Sequence, residues 1–164
     1  MPKKTGRAAM DGWDELYQAI ILEHNRSPQN FGPLIPADRR VSGRNASCGD
    51  EIFLDLRFLE NRIAAIQFFG EGCAISRASA SLLTLAVLNR TRQEAEEIAR
   101  EMVALLAEGG EISNQLRQHL GQRAALLGVR NFPLRIRCAT LAWHALLDGL
   151  DGEPNDRRAS KTGT

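Results

Sequence analysis

"EIFLDLRFLENRIAAIQFFGEGCAISRASAS", Glu51–Ser81, decides the fold. Ile52, Leu54, Leu56 and Phe58 alternate with Glu51, Asp55 and Arg57, the pattern of a strand with one buried face. Glu60–Asn61 offers a tight turn, because Asn tolerates positive φ. "RIAAIQFFG", from Arg62, reads as the return strand of a β-hairpin. Beyond Cys73 the period changes. From about Ile75 to Leu88 the residues Ile75, Ser79, Leu82, Leu83, Ala86 and Val87 share one helical face.

Outward from the hairpin, "RRVSG" at 39–43 supplies a third, edge strand. A helix is predicted from Asp11 or Gly12 to about His24, with Leu16, Ile20 and His24 on one face. Pro28, Gly32, Pro33 and Pro36 break the chain after it. Downstream, Thr91 with Glu94 three residues on is a capping box. "ISNQLRQHLGQRAALLGV", 112–129, predicts one helix or two short ones, with Gly128 as a stop. The last helix starts near Pro133, a favoured first-turn residue, and ends at Gly149. Strands first and helices after predict an α+β fold, a small antiparallel sheet of about three strands with helices packed on one face. We expect one domain over 11–150, a disordered leader at 1–10 and a disordered polar tail at 151–164.

The 164 residues are 43% hydrophobic and 25% charged, enough apolar material for a core without disulfide staples. A net charge of +1 gives no global attraction to nucleic acid or an acidic membrane. No stretch is long and apolar enough to span a bilayer, and the basic N-terminus has no apolar run behind it. A cytoplasmic protein is expected.

Chemistry gathers at the three cysteines, an odd count that argues against a disulfide framework. Cys48 lies in "NASCGDE", a turn feeding the first long strand, with Asp50 two residues on. Cys73 follows Gly70-x-Gly72, between the return strand and a helix. The start and end of a hairpin are neighbours, so Cys48, Asp50 and Cys73 meet at one end of the sheet. Cys138 reaches the same end if the last helix packs across the sheet. Three thiols and a carboxylate suit zinc, and thiolates also suit iron–sulfur chemistry. Buried core thiols, a metal site and a reactive thiol all stay open on the residues alone. His24 and His144 lack ligand-spaced partners and read as core or solvated side chains, and His119 reads as surface. Trp143 and Leu146 read as core. The Arg-rich 117–137 stretch reads as a solvated face, or as one that steers an acidic partner surface.

"SCGDEI", "GEGCAISRASASLL" and "FPLRIRCATLAWHAL" resemble the three cysteine motifs of the iron–sulfur assembly proteins of the IscU/SufU, NifU N-terminal-like family. "LYQAIILEHNRSPQNFG" resembles that family's first helix and loop, so the likeness runs from about Leu16 to Asp148. IscU scaffolds carry His directly before the third cysteine, where this chain has Arg137. That departure, and the long segment between Cys73 and Cys138, are similar to the SufU branch. Asn45-Ala46 replaces a frequent Asn-Pro, which touches loop stiffness and no ligand. The resemblance implies zinc held by Cys48, Asp50, Cys73 and Cys138, with Cys48 the sulfur acceptor. It implies a SufS-type cysteine desulfurase as partner, contacted by Arg135, which otherwise reads as a solvated helix residue. The other role that it implies is a scaffold carrying a transient [2Fe–2S] cluster among other iron–sulfur assembly proteins.

Overall fold

The computed structural model describes residues 12–151. The leader expected at 1–10 and the tail beyond Asp151 lie outside them. The described residues form α1 (Gly12–Arg26), β1 (Arg39–Asn45), β2 (Asp50–Leu59), β3 (Arg62–Glu71), α2 (Ala74–Val87), α3 (Arg92–Ala107) and α4 (Asn114–Leu120). A 3-10 helix (Gly121–Asn131) and α5 (Pro133–Leu150) complete them. The strands make one antiparallel sheet in the order β1-β2-β3.

Glu60 and Asn61 turn the hairpin with φ of 52° and 71°, the paired positive values that match the twist of the flanking strands. Val41, Leu54, Leu56, Ile66 and Phe68 line the inner face, each at most 2% exposed. A register shift at Arg57/Phe58 lets Ile63 face inward as well. On the outer face Phe53 and Phe69 stack with centroids 4.9 Å apart, a cross-strand pair. Asp55 is also fully buried, although the alternation placed it on a solvated face. The loop after α1 covers it: Leu34 donates its amide to Asp55 Oδ2 at 2.9 Å, and Arg40 pairs with Asp55 Oδ1 at 2.6 Å. Burial of that carboxylate is tolerated because its oxygens are paired.

The helices pack on the inner face, with α5 against β1, β2, α2 and α3. Trp143, fully buried in α5, donates Nε1–H to Ser79 Oγ at 2.9 Å. Ser79 passes its own proton to Ala139 O at 2.6 Å. At the far end of α5, Arg39 donates to Gly149 O at 2.7 Å and also to Asp151 O, and Arg92 donates to Leu150 O at 2.5 Å. Two cations thus close the negative end of the helix dipole.

The Thr91–Glu94 capping box forms as expected. Gly128 is no stop, because the 3-10 helix runs through it. The break falls at Gly121, which takes φ of 59° after α4, a left-handed value that glycine accepts without strain.

Candidate metal centre

The site sits where the hairpin ends, the 46–49 turn and α5 converge. The turn is organised by Asn45, whose Oδ1 accepts the Ser47 amide at 3.2 Å and whose carbonyl accepts Gly49 N–H at 2.8 Å. Gly49 turns the chain with φ of 76° and leaves Cys48 exposed. Asp50 opens β2 and is 4% exposed. Across the hairpin, Gly70 has φ of 120°, and a Cβ there would lie 2.2 Å from Glu51 O, so the strands approach this closely only with glycine. The chain then leads to Cys73 at the N-cap of α2. Cys138 comes from the second turn of α5 and is 1% exposed. The sequence left this step open, and α5 does pack across the sheet and bring it there.

Ligand atoms of Cys48, Asp50 and Cys138 all lie within 4.8 Å of one another. Cys48 Sγ and Cys138 Sγ are 3.8 Å apart. Two sulfurs, each about 2.3 Å from one tetrahedral zinc, would stand about 3.8 Å apart, so the pair already has the separation that such an ion requires. Cys73 falls outside this close trio. Its sulfur is 3.3 Å from Ser76 Oγ, and its amide donates to Asp50 Oδ1 at 3.2 Å. The soft thiols with one hard carboxylate fit zinc, and thiolates equally suit iron–sulfur centres.

Electrostatics tie the four groups together. Burial opposes ionisation of Asp50. Hydrogen bonds from Ser76 and then from the thiols of Cys48, Cys138 and Cys73 outweigh it, and hold the carboxyl below its ordinary value. Burial first, then hydrogen bonding with and charge on Cys73 and Cys48, push the Cys138 thiol from 9.0 to about 12. Arg135, exposed one turn before Cys138, feels the same cluster. The charge of Cys73, then hydrogen bonding with Cys138, raises its guanidinium above the ordinary value. Arg135 is an exposed helix residue that lies within electrostatic reach of the thiols.

The histidines stay out of the trio. His24 is a core residue, its Nδ1 2.7 Å from Ser81 Oγ and its Nε2 2.8 Å from Gln122 Oε1. His119 pairs with Glu101 on the surface at 2.9 Å. His144 and Arg137 line a groove of about 500 Å³ between β1 and α5, together with Arg44, Asn45 and Thr140. Sequence reasoning missed two residues of the site. Asn45 directs Nδ2 at Cys138 Sγ from 4.0 Å. Ser76, 1% exposed, donates to Asp50 Oδ2 at 2.5 Å. Their signal was the spacing itself: Asn45 opens the tight turn before Cys48, and Ser76 stands one helical turn after Cys73.

A family profile, the NifU-like N-terminal domain, matches residues 16–139, most of the described chain. The chain belongs to the NifU-like N-terminal domain family. Within it, the chain is 37% identical over 147 residues to an iron–sulfur cluster assembly scaffold protein IscU of Streptococcus pyogenes serotype M1, with 90% of each chain covered. It is 36% identical over 140 residues to the zinc-dependent sulfurtransferase SufU of Bacillus subtilis, covering 85% of this chain and 92% of that one. The crystal structure of a SufU-type scaffold protein for the SUF system, from Fervidobacterium islandicum AW-1, superposes with a TM-score of 0.74 at 30% identity. It covers 85% of this chain and 100% of that one. That solved structure and this chain share the same α+β fold. Among the described residues, no helix is long and apolar enough to cross a membrane.

Proposed function

We propose that this NifU-like chain is a zinc-dependent sulfurtransferase that accepts persulfide sulfur from a SufS-type cysteine desulfurase for iron–sulfur cluster assembly. The relatives' names divide between two roles at nearly equal identity, so the choice falls on residues. The observation that carries this reading is Cys48. Its sulfur belongs to the metal-competent trio and yet sits on an exposed turn followed by a positive-φ glycine. Arg137 before Cys138, and the absence of histidine from the trio, support the same branch.

Cys48, Asp50, Cys73 and Cys138 would hold the zinc, which keeps thiolate ligands deprotonated at neutral pH. The Cys48 thiolate attacks the outer sulfur of the partner's cysteine persulfide. A new S–S bond forms at Cys48, the partner's S–S bond breaks, and the partner's cysteine leaves as a thiolate. No external oxidant or reductant enters. Arg135, exposed beside the thiols, would meet the incoming partner and its developing thiolate charge, a role its electrostatic reach to the thiols supports. Asp50, Cys73 and Cys138 hold the centre behind it.

The test measures cysteine turnover by a SufS-type desulfurase with and without the zinc-loaded chain, in the absence of iron. Strong acceleration, with added sulfur on Cys48 by mass spectrometry, is expected. No acceleration, together with cluster formation once iron is supplied, would replace this reading with the scaffold one. The same thiols also suit that second reading, since thiolates ligate iron–sulfur clusters as well as zinc.

A further inference from the structure

We infer that Ser76 is a positioning residue of the metal centre: its buried hydroxyl fixes the Asp50 carboxylate beside Cys48 and Cys138 and parks the Cys73 thiol until metal arrives. This rests on the metal-binding reading above.

Ser76 stands between the two ligands that the hairpin alone does not align. Its proton goes to Asp50 Oδ2 at 2.5 Å, and its oxygen meets Cys73 Sγ at 3.3 Å. A hydroxyl has one proton and two lone pairs. With the proton given to Asp50, the Ser76 oxygen meets Cys73 Sγ only as an acceptor. The Cys73 amide holds the other oxygen, Oδ1, at 3.2 Å. The amide and the hydroxyl thus hold one carboxylate oxygen each, and the thiol protons that also point at Asp50 leave when the thiols ligate an ion. The orientation of Asp50 is set before binding, and a carboxylate held in place loses less freedom when it ligates.

Neighbouring residues make room for this contact. A Cβ at Gly72 would stand 3.0 Å from Ser76 Oγ and 3.5 Å from Asp50 Cγ. Any larger residue there would crowd the hydroxyl against the carboxylate. Ser76 is 1% exposed and Asp50 4%, so bulk water is not at hand to replace a deleted hydroxyl. Cys73 is the one cysteine outside the close trio, and it reaches an ion by leaving Ser76. Ser76 keeps its bond to Asp50 throughout.

The experiment titrates the full metal-free chain with cobalt(II), reading thiolate charge-transfer and ligand-field bands, and then displaces cobalt with zinc(II). Four proteins are compared: wild type, Ser76→Ala, Asp50→Ala and the double variant. Loss of a group that orients a ligand lowers metal affinity about 10–100-fold, and we expect Ser76→Ala to fall in that range with altered ligand-field bands. In the Asp50→Ala background, Ser76→Ala is expected to add no further loss. Equal affinity of Ser76→Ala and wild type overturns the proposal, as does an undiminished effect of Ser76→Ala when Asp50 is already gone. A Ser76→Ala chain that folds only together with Asp50→Ala supports it, because the harm then lies in the unsatisfied carboxylate. Misfolding in both backgrounds overturns it, since the hydroxyl would then serve the helix. If wild type itself binds cobalt without thiolate bands, the metal reading fails and this proposal goes with it. A binding wild type separates the two failures.

Discussion

Cys48 and Cys138 hold their sulfurs 3.8 Å apart, yet the first is exposed on a turn and the second is 1% exposed inside α5. One thiol is reachable by another protein, and its neighbour is not. Cys48→Ala is therefore expected to abolish sulfur acceptance while shifting folding stability by no more than about 0.5 kcal/mol, the range of surface substitutions. Desulfurase-coupled turnover and urea denaturation of the metal-free chain measure the two effects. Wild-type sulfur uptake by Cys48→Ala would remove Cys48 from its role.

The buried partner predicts an alkaline limb. Cys138 has its thiol pushed from 9.0 to about 12. A group whose folded value is raised stabilises the fold fully below its unfolded value, and that contribution fades as pH rises through the folded value. Metal-free protein should lose stability between about pH 9 and pH 12. Cys138→Ala should flatten that limb, read as the urea midpoint against pH. Parallel limbs for the two proteins would disprove the assignment.

Gly70→Ala should disrupt both the hairpin and the metal centre. The added Cβ would lie 2.2 Å from Glu51 O at a φ of 120°, and such backbone strain alone costs about 1–3 kcal/mol. Thermal unfolding and cobalt binding should fall together, because the same backbone carries Asp50 and Cys73. Retained metal affinity in an otherwise weakened fold would show that the two are separable.

Ser79→Ala tests the core away from the site. It strands the Trp143 Nε1–H, which donates to Ser79 Oγ at 2.9 Å, and removes the donor to Ala139 O. Leaving buried polar groups unpaired costs about 1–3 kcal/mol each. Denaturant midpoints should drop accordingly. An unchanged midpoint would mean that the indole finds another acceptor.

Arg135→Glu reverses charge beside the thiols and removes no ligand. The expected result is at least about a tenfold rise in the concentration of this chain needed to stimulate the desulfurase. Zinc content should be unaltered. An unaltered stimulation curve would leave Arg135 without a part in docking.

The hairpin, its Glu60–Asn61 turn and the capping box were legible because each is a local pattern. Alternation, turn chemistry and an i to i+3 pair all lie within a few residues. The convergence of Cys48, Asp50 and Cys73 followed from hairpin geometry alone. Cys138 needed α5 to cross the sheet, which local pattern left open. The burial of Asp55 was hidden because its cover, Leu34 and Arg40, comes from other segments. Ser76 was invisible for another reason: a serine in the first turn of a helix has many ordinary uses, and only the proximity of Asp50 gives this one a partner. The break at Gly121 instead of Gly128 depended on which glycine takes positive φ, and local pattern does not choose between the two.

The arginine pair at the far end of α5 acts at a distance. From Cys138 to Leu150 the helix runs roughly 18 Å at 1.5 Å per residue. A helix is stiff along its axis, so a rod clamped at one end carries its other end to a set height. Arg39 and Arg92, gripping the carbonyls of Gly149 and Leu150, thereby gauge how deep the third sulfur stands beside the other two.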